Sequence, residues 1–274
     1  MAIGAITLTA ASAYAAVSFG FWAAQRRLIF GRTSRIRTMK AGAFDGQHEV
    51  TPLWLDVAPA VKLQGWVARP KAGGTGKALI YFGGRNEHVA WAVQMGSYLG
   101  FWSVYAFNYR GFGGSGGHPS ESSAKSDALQ VLDEVRRLEG GAAHAPVVMG
   151  RSLGTAIAIW AATRRDVSQL VLLSPFDSLR SLLRQRTPLN LMSWLLHQNF
   201  DCMGDAGCVK AETIILLAAD DKRVPHQNSL RLASELGNIR HLGTVPGSDH
   251  NSLPRHPHTQ AQIAAWLNQT GHTP

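Results

Sequence analysis

The chain has 274 residues, 45% of them hydrophobic, which is enough to bury a full core and points to one large domain rather than two small ones. Its net charge is +9, but Arg26, Arg27, Arg32, Arg35, Arg37 and Lys40 fall in the first 40 residues with no acid among them, and the rest carries 21 basic residues against 18 acidic. Basicity this local excludes a nucleic-acid-binding face, so no nucleic-acid partner is expected.

Residues 3–24 form a run of 22 residues without a charge, long enough to cross a hydrocarbon core of roughly 30 Å as a helix. Phe19, Phe21 and Trp22 stand at its C-terminal edge with Arg26 and Arg27 just beyond, the order favoured at a membrane interface. The expectation is a transmembrane anchor over residues 1–27 and a basic juxtamembrane linker over 28–50. A cleaved signal peptide competes, although no basic residue precedes the run. A buried N-terminal helix is a third reading, against which no polar face is marked. Basic residues after the span predict a single-pass membrane protein with the remaining domain, 51–274, in the cytoplasm. Cys202 and Cys208 are read as two unpaired thiols, although they stand close enough to bridge if the domain were exported.

Strands are expected over 52–57 and 61–67, then over 78–82, a wholly apolar run of the kind buried on both faces of a parallel sheet. Helices at 89–99, 122–138 and 152–162 alternate with strands at 102–108, 147–149 and 170–173. Beyond an interruption come a strand at 213–218, a helix at 227–236, a strand at 239–245 and a helix at 259–267. This alternation implies right-handed crossovers and a doubly wound, mostly parallel α/β sheet. The interruption, a cap over about 176–208, carries apolar residues at helical spacing in 179–183 and 189–196, with Trp194 among them. It is expected either to cover the site with an apolar acyl pocket or to pack as extra core helices.

Between the strand at 147–149 and the next helix stands Gly150-Arg151-Ser152-Leu153-Gly154, a GxSxG. In a strand-to-helix turn this pattern forces the serine into a tight corner and presents its hydroxyl at the top of the sheet. A serine hydroxyl needs a histidine base, a carboxylate to orient it and donors for the oxyanion. In a doubly wound sheet these come from loops at the C-terminal ends of strands. For the acid, the strand ending at Ala218 leads to Asp220 and Asp221; Asp221 suits the loop better, Asp220 is its neighbour, and Asp177 is a third candidate that also reads as a helix cap. For the base, His250 lies in the turn after the last strand, whereas His241 sits within that strand and His256 and His258 flank a proline. The chain order Ser152, Asp221, His250 fits the nucleophile-elbow pattern. Oxyanion donors are expected to be the backbone N–H of Leu153 and that of Arg85, with Gly84 second, in the Gly83-Gly84-Arg85-Asn86 turn.

A GxGxxG at Gly111, Gly113 and Gly116 lacks the acid that should end the following strand, so a dinucleotide site is not expected. His256 and His258 have no cysteine or acid cluster beside them, so no metal site is expected either.

Several collinear segments resemble the α/β-hydrolase superfamily, and more closely its BEM46-like membrane-anchored serine hydrolases: QRRLIF at 25–30, YFGG at 81–84, NYRGFGGSGGHPSE at 108–121, GRSLGTAIA at 150–158, SPFDSL at 174–179 and DKRVP at 221–225. The resemblance implies an α/β-hydrolase fold with Ser152 as nucleophile, Asp221 as acid and His250 as base. One departure is that the usual HGNAG turn here has Gly83 at the histidine position and Arg85 at the asparagine. The function expected is hydrolysis of a small-molecule carboxylic ester or thioester, with a lipid-like acyl group, through an acyl-enzyme and without a cofactor. A peptidase of the same fold and a non-catalytic membrane-tethered scaffold are the alternatives.

Overall fold

The computed structural model describes residues 2–31, 42–43, 46–141, 145–186, 193 and 195–269, with the side chains of 2–11, 13, 42 and 43 outside that description. Strands β1 (Gly42–Ala43), β2 (His48–Ala58), β3 (Val61–Pro70), β4 (Ala78–Phe82), β5 (Ser103–Phe107), β6 (Val147–Arg151), β7 (Gln169–Leu173), β8 (Glu212–Ala218) and β9 (Ile239–Val245) form one sheet. Its order is β1-β2-β3-β5-β4-β6-β7-β8-β9. From β5 to β9 neighbouring strands are parallel, while β1, β2 and β3 add an antiparallel extension at one side.

Every residue of β4, β5, β6 and β7 is buried, because helices cover both faces, and the strands are correspondingly apolar apart from Ser103, Arg151 and Gln169 at their ends. One face is covered by α3 (Glu121–Leu138), α4 (Leu153–Ala162) and α7 (His226–Glu235), with Leu132, Ile157 and Leu232 in its core. The other is covered by a 3-10 helix (Val89–Met95), α2 (Gly96–Leu99) and α8 (Pro257–Gln269), through Val93, Leu99 and Ile263. α3 begins at a capping box in which the Ser120 hydroxyl accepts from Ser123 N–H and Ser123 Oγ accepts from Ser120 N–H. The segment expected as one helix at 89–99 is instead a 3-10 turn followed by a short α turn; it starts at His88 without a capping side chain and carries β-branched Val89 and Val93.

The N-terminal helix α1 runs unbroken over Ala2–Phe30, past the anchor boundary expected at 27. Its last turn belongs to the domain. Phe30 is fully buried, edge-on to both Tyr109 and Phe200. Gln25 is buried and holds the segment after α5 (Leu179–Arg186) through both amide atoms, its Nε2 donating to Leu195 O at 2.8 Å and its Oε1 accepting from His197 N at 3.1 Å. The expected transmembrane span is corrected accordingly: among the described residues no helix is long and apolar enough to cross a membrane. Alanine, glycine and serine dilute the apolar part of α1, and Gln25, Arg26 and Arg27 stand one turn before its end at Phe30.

The interruption after β7 contains α5, a segment of turns over 195–200 and the short α6 (Met203–Ala206). The helix expected over 189–196, and Trp194 with it, lies mostly outside the described residues. Cys202 is buried, Cys208 is exposed, and the two are not bridged.

Candidate active site

β4 and β6 are neighbours although β5 intervenes in sequence, so the chain reverses its winding between them and their C-terminal ends open a crevice. β6 turns into α4 at Ser152, whose backbone has φ 50° and ψ −118°. For a residue with a side chain this conformation costs about 1–3 kcal/mol and persists only where the surroundings impose it. The two flanking glycines show how they do. A Cβ on Gly150 would sit 2.5 Å from Gly154 O, and one on Gly154 would overlap the carbonyl oxygen of Phe82. Strand, helix and the neighbouring β4 therefore meet backbone to backbone, and the turn is pinned by Ser152 N–H donating to Leu173 O at 2.9 Å and Thr155 Oγ1 donating to Ser152 O at 2.6 Å.

Loops after β8 and β9 bring two further side chains to this serine. His250 Nε2 lies 3.0 Å from Ser152 Oγ and its Nδ1 lies 2.8 Å from Asp221 Oδ2. With the carboxylate on Nδ1, that nitrogen carries the proton and Nε2 accepts from the serine hydroxyl. Asp221 Oδ1 accepts from the N–H groups of Arg223 and Val224, both at 2.8 Å. Burial raises the Asp221 pKa, but the His250 hydrogen bond and charge and the Val224 N–H outweigh it and hold the carboxyl down at about 2.

The other sequence candidates lie elsewhere. Asp220 is exposed, and Asp177 is committed to Asn228 Nδ2 at 2.8 Å and Arg231 Nε at 2.9 Å. His241 is exposed on β9.

The turn after β4 faces the serine: a Cβ on Gly84 would lie 3.4 Å from Ser152 Cβ. Gly84 N–H is already given to Glu87 Oε2 at 2.6 Å. The next N–H in the turn, that of Arg85, is the remaining candidate to face a substrate oxygen at the serine. Leu153 is the first residue of α4, where an N–H has no partner within the helix.

Sequence reading missed Glu87 and the side chain of Arg151. Glu87 Oε1 accepts from Tyr81 Oη at 2.9 Å and Trp91 Nε1 at 2.8 Å, and Oε2 accepts from Arg151 Nη1 at 2.7 Å. Arg151 Nη2 in turn donates to His250 O at 2.8 Å. Burial would raise the Glu87 pKa, yet the Arg151 charge and the Gly84 N–H hold it below the ordinary carboxylate value; Arg151 is raised, burial being overcome by Glu87. The only local signals were an acid three residues after a glycine pair and an arginine in the variable position of GxSxG. The site opens into a cavity of about 1000 Å³ lined by Ser152, His250, Arg85, Arg223 and, from α5, Leu179 and Leu182.

Residues 74–201, a little under half of the chain, match the family model described as serine aminopeptidase, S33. Over 258 residues the chain is 29% identical to the uncharacterized protein Rv2307c of Mycobacterium tuberculosis, covering 91% of this chain and 88% of that protein. It is 27% identical over 154 residues to the alpha/beta hydrolase domain-containing protein aho-3 of Caenorhabditis elegans, covering 56% of this chain and 45% of that protein. The Pyrococcus furiosus esterase Pf2001 superposes with a TM-score of 0.69 at 17% identity, covering 87% of this chain and 97% of that one. The chain has the α/β-hydrolase fold. Within an α/β-hydrolase fold the strand order and crevice seen here put Ser152 at the nucleophile-elbow position, with its neighbours drawn from the ends of β8 and β9.

Proposed function

We propose that the protein is a serine hydrolase that cleaves a carboxylic ester or thioester through an acyl-enzyme on Ser152. The observation that carries this reading is the unbroken path from Asp221 through His250 to the hydroxyl of a serine held at positive φ. In the proposed reaction His250 Nε2 takes the serine proton as Oγ attacks the acyl carbon. The N–H groups of Leu153 and Arg85 bind the oxyanion, and Asp221 stabilises the imidazolium. The carbon–oxygen or carbon–sulfur bond to the leaving group then breaks, and His250 returns the proton to it. Water activated by the same histidine releases the acid.

A serine aminopeptidase reading is favoured by the family model that matches residues 74–201. The charge of the cavity weighs against it. Arg85, Arg223 and Arg255 line the cavity, and the one carboxylate lining it among the described residues, Glu87, is buried against Arg151; a substrate α-ammonium would meet a positive field. A non-catalytic scaffold has no reason to keep Ser152, His250 and Asp221 hydrogen-bonded in series.

Membrane location with the domain on the cytoplasmic side is the other part of the proposal. It is supported by Tyr14, Val17, Phe19 and Trp22, large apolar side chains left exposed along α1. Membrane fractionation, together with a reporter fused after Pro274, tests it; a wholly soluble fraction or a periplasmic signal would overturn it.

The chemistry is tested by labelling with a fluorophosphonate. The expected result is labelling of the wild type that disappears in Ser152→Ala, His250→Ala and Asp221→Asn but persists in Asp220→Asn. Label retained by Ser152→Ala would end the proposal. Parallel assays with a p-nitrophenyl ester and an aminoacyl naphthylamide separate esterase from aminopeptidase.

A further inference from the structure

A second cavity, of about 380 Å³, adjoins the first and shares Ile29, Leu179, Leu182, Arg85 and Arg223 with it. Its walls come from two elements far apart in sequence. α1 supplies Phe21, Leu28 and Ile29, and α5 supplies Leu179, Leu182 and Leu183. A groove that runs from a serine nucleophile into an apolar cleft is shaped for a chain attached to the reacting carbonyl. Its size falls within the roughly 300–1,000 Å³ range of small-molecule sites.

The α1 wall is built in. Buried Gln25 spends both amide atoms on Leu195 and His197, and Phe30 is locked between Tyr109 and Phe200. Opposite ends of the same helix segment thus hold Leu28 and Ile29 at a fixed distance from α5. The outer side of α1 leaves Phe19 and Trp22 exposed, so the groove begins where the helix would meet a lipid surface.

We propose that this groove is the acyl-chain subsite of the enzyme and that the N-terminal helix is one of its walls. The inference rests on the hydrolase reading above and names its substrate class: esters of linear aliphatic acids, whose chain leaves the Ser152 carbonyl between Ile29 and Leu182 and ends near Phe21. Each methylene buried should raise kcat/KM by roughly two- to fourfold until the groove is full. Filling the groove from either wall should then cut the long chains back.

The test uses the full-length protein with p-nitrophenyl esters from acetate to laurate, together with Leu28→Trp and Leu183→Trp, both at positions that line the second cavity and not the first. In the wild type the octanoate-to-acetate ratio of kcat/KM should be at least tenfold, and each tryptophan should lower that ratio at least tenfold. Leu230→Trp, at an exposed site on α7, should leave the ratio alone. Leu28 is half exposed, so its variant folds even if Leu183→Trp does not, which thermal melts will show. A wild-type ratio near one, or a ratio unmoved by Leu28→Trp, overturns the subsite while fluorophosphonate labelling of Ser152 keeps the hydrolase reading. Loss of all labelling and all ester cleavage overturns both.

Discussion

Glu87 Oε2 and Arg151 Nη1 stand 2.7 Å apart, both side chains buried, and this pair ties together the three loops that meet at the serine. Glu87 holds the turn after β4 through Gly84 N–H, and Arg151 adjoins Ser152 and holds the carbonyl of His250. The pair acts through these groups and makes it a positioning device.

Glu87→Gln should therefore lower kcat by roughly 10–100-fold with KM little changed, because a shift of even about 1 Å in the donors weakens oxyanion binding. It should also destabilise the fold by about 3–5 kcal/mol, since Arg151 is left as an unpaired buried charge. The double variant Glu87→Gln/Arg151→Met should regain most of the stability and none of the activity. Equal recovery of both in denaturant melts and kinetics would show that the pair matters only for folding.

The pH dependence of stability follows from Asp221. Its pKa is held at about 2 in the folded protein, below an unfolded value of about 3.9. A depressed carboxylate contributes stability that is present above the unfolded pKa and lost as pH falls toward the folded one. Its contribution, about 2 kcal/mol at neutral pH, should fade between about pH 4 and pH 2. Thermal melts of wild type and Asp221→Asn should differ clearly at pH 7 and converge as pH approaches that of the folded carboxyl.

Strain at Ser152 predicts an unequal effect of two substitutions there. Ser152→Ala keeps a Cβ at φ 50°, whereas Ser152→Gly removes it. Both should lose at least about 10³-fold in kcat. Ser152→Gly should nevertheless be more stable than Ser152→Ala by about 1 kcal/mol. Equal melting midpoints would mean that the turn is unstrained.

Docking of the N-terminal helix is tested by Phe30→Ala. Removing this fully buried ring should cost about 3–5 kcal/mol. If α1 were an appendage joined to the domain by a loose linker, unfolding of the domain would not notice the change.

The order of strands and helices from residue 52 to 267 was legible because periodicity and turn residues are local properties. The wholly apolar run at 78–82 did become a strand buried on both sides. Ser152, Asp221 and His250 could be picked out as candidates because the C-terminal ends of successive strands share one edge of a parallel sheet, which turns chain order into proximity. The antiparallel pairing of β3 with β5 carried no such signal, since either neighbour satisfies the same alternation.

By itself, then, the sequence placed most of the strands and helices and narrowed the serine, acid and histidine at strand ends to a few candidates, through information held within a few residues. Tertiary structure alone decided that Glu87 meets Arg151 across 64 positions and that Gln25 meets Leu195 across 170. It also decided that α1 closes one side of a groove beside the serine. Those contacts depend on how whole elements pack, and packing over such separations leaves no spacing in the chain to read.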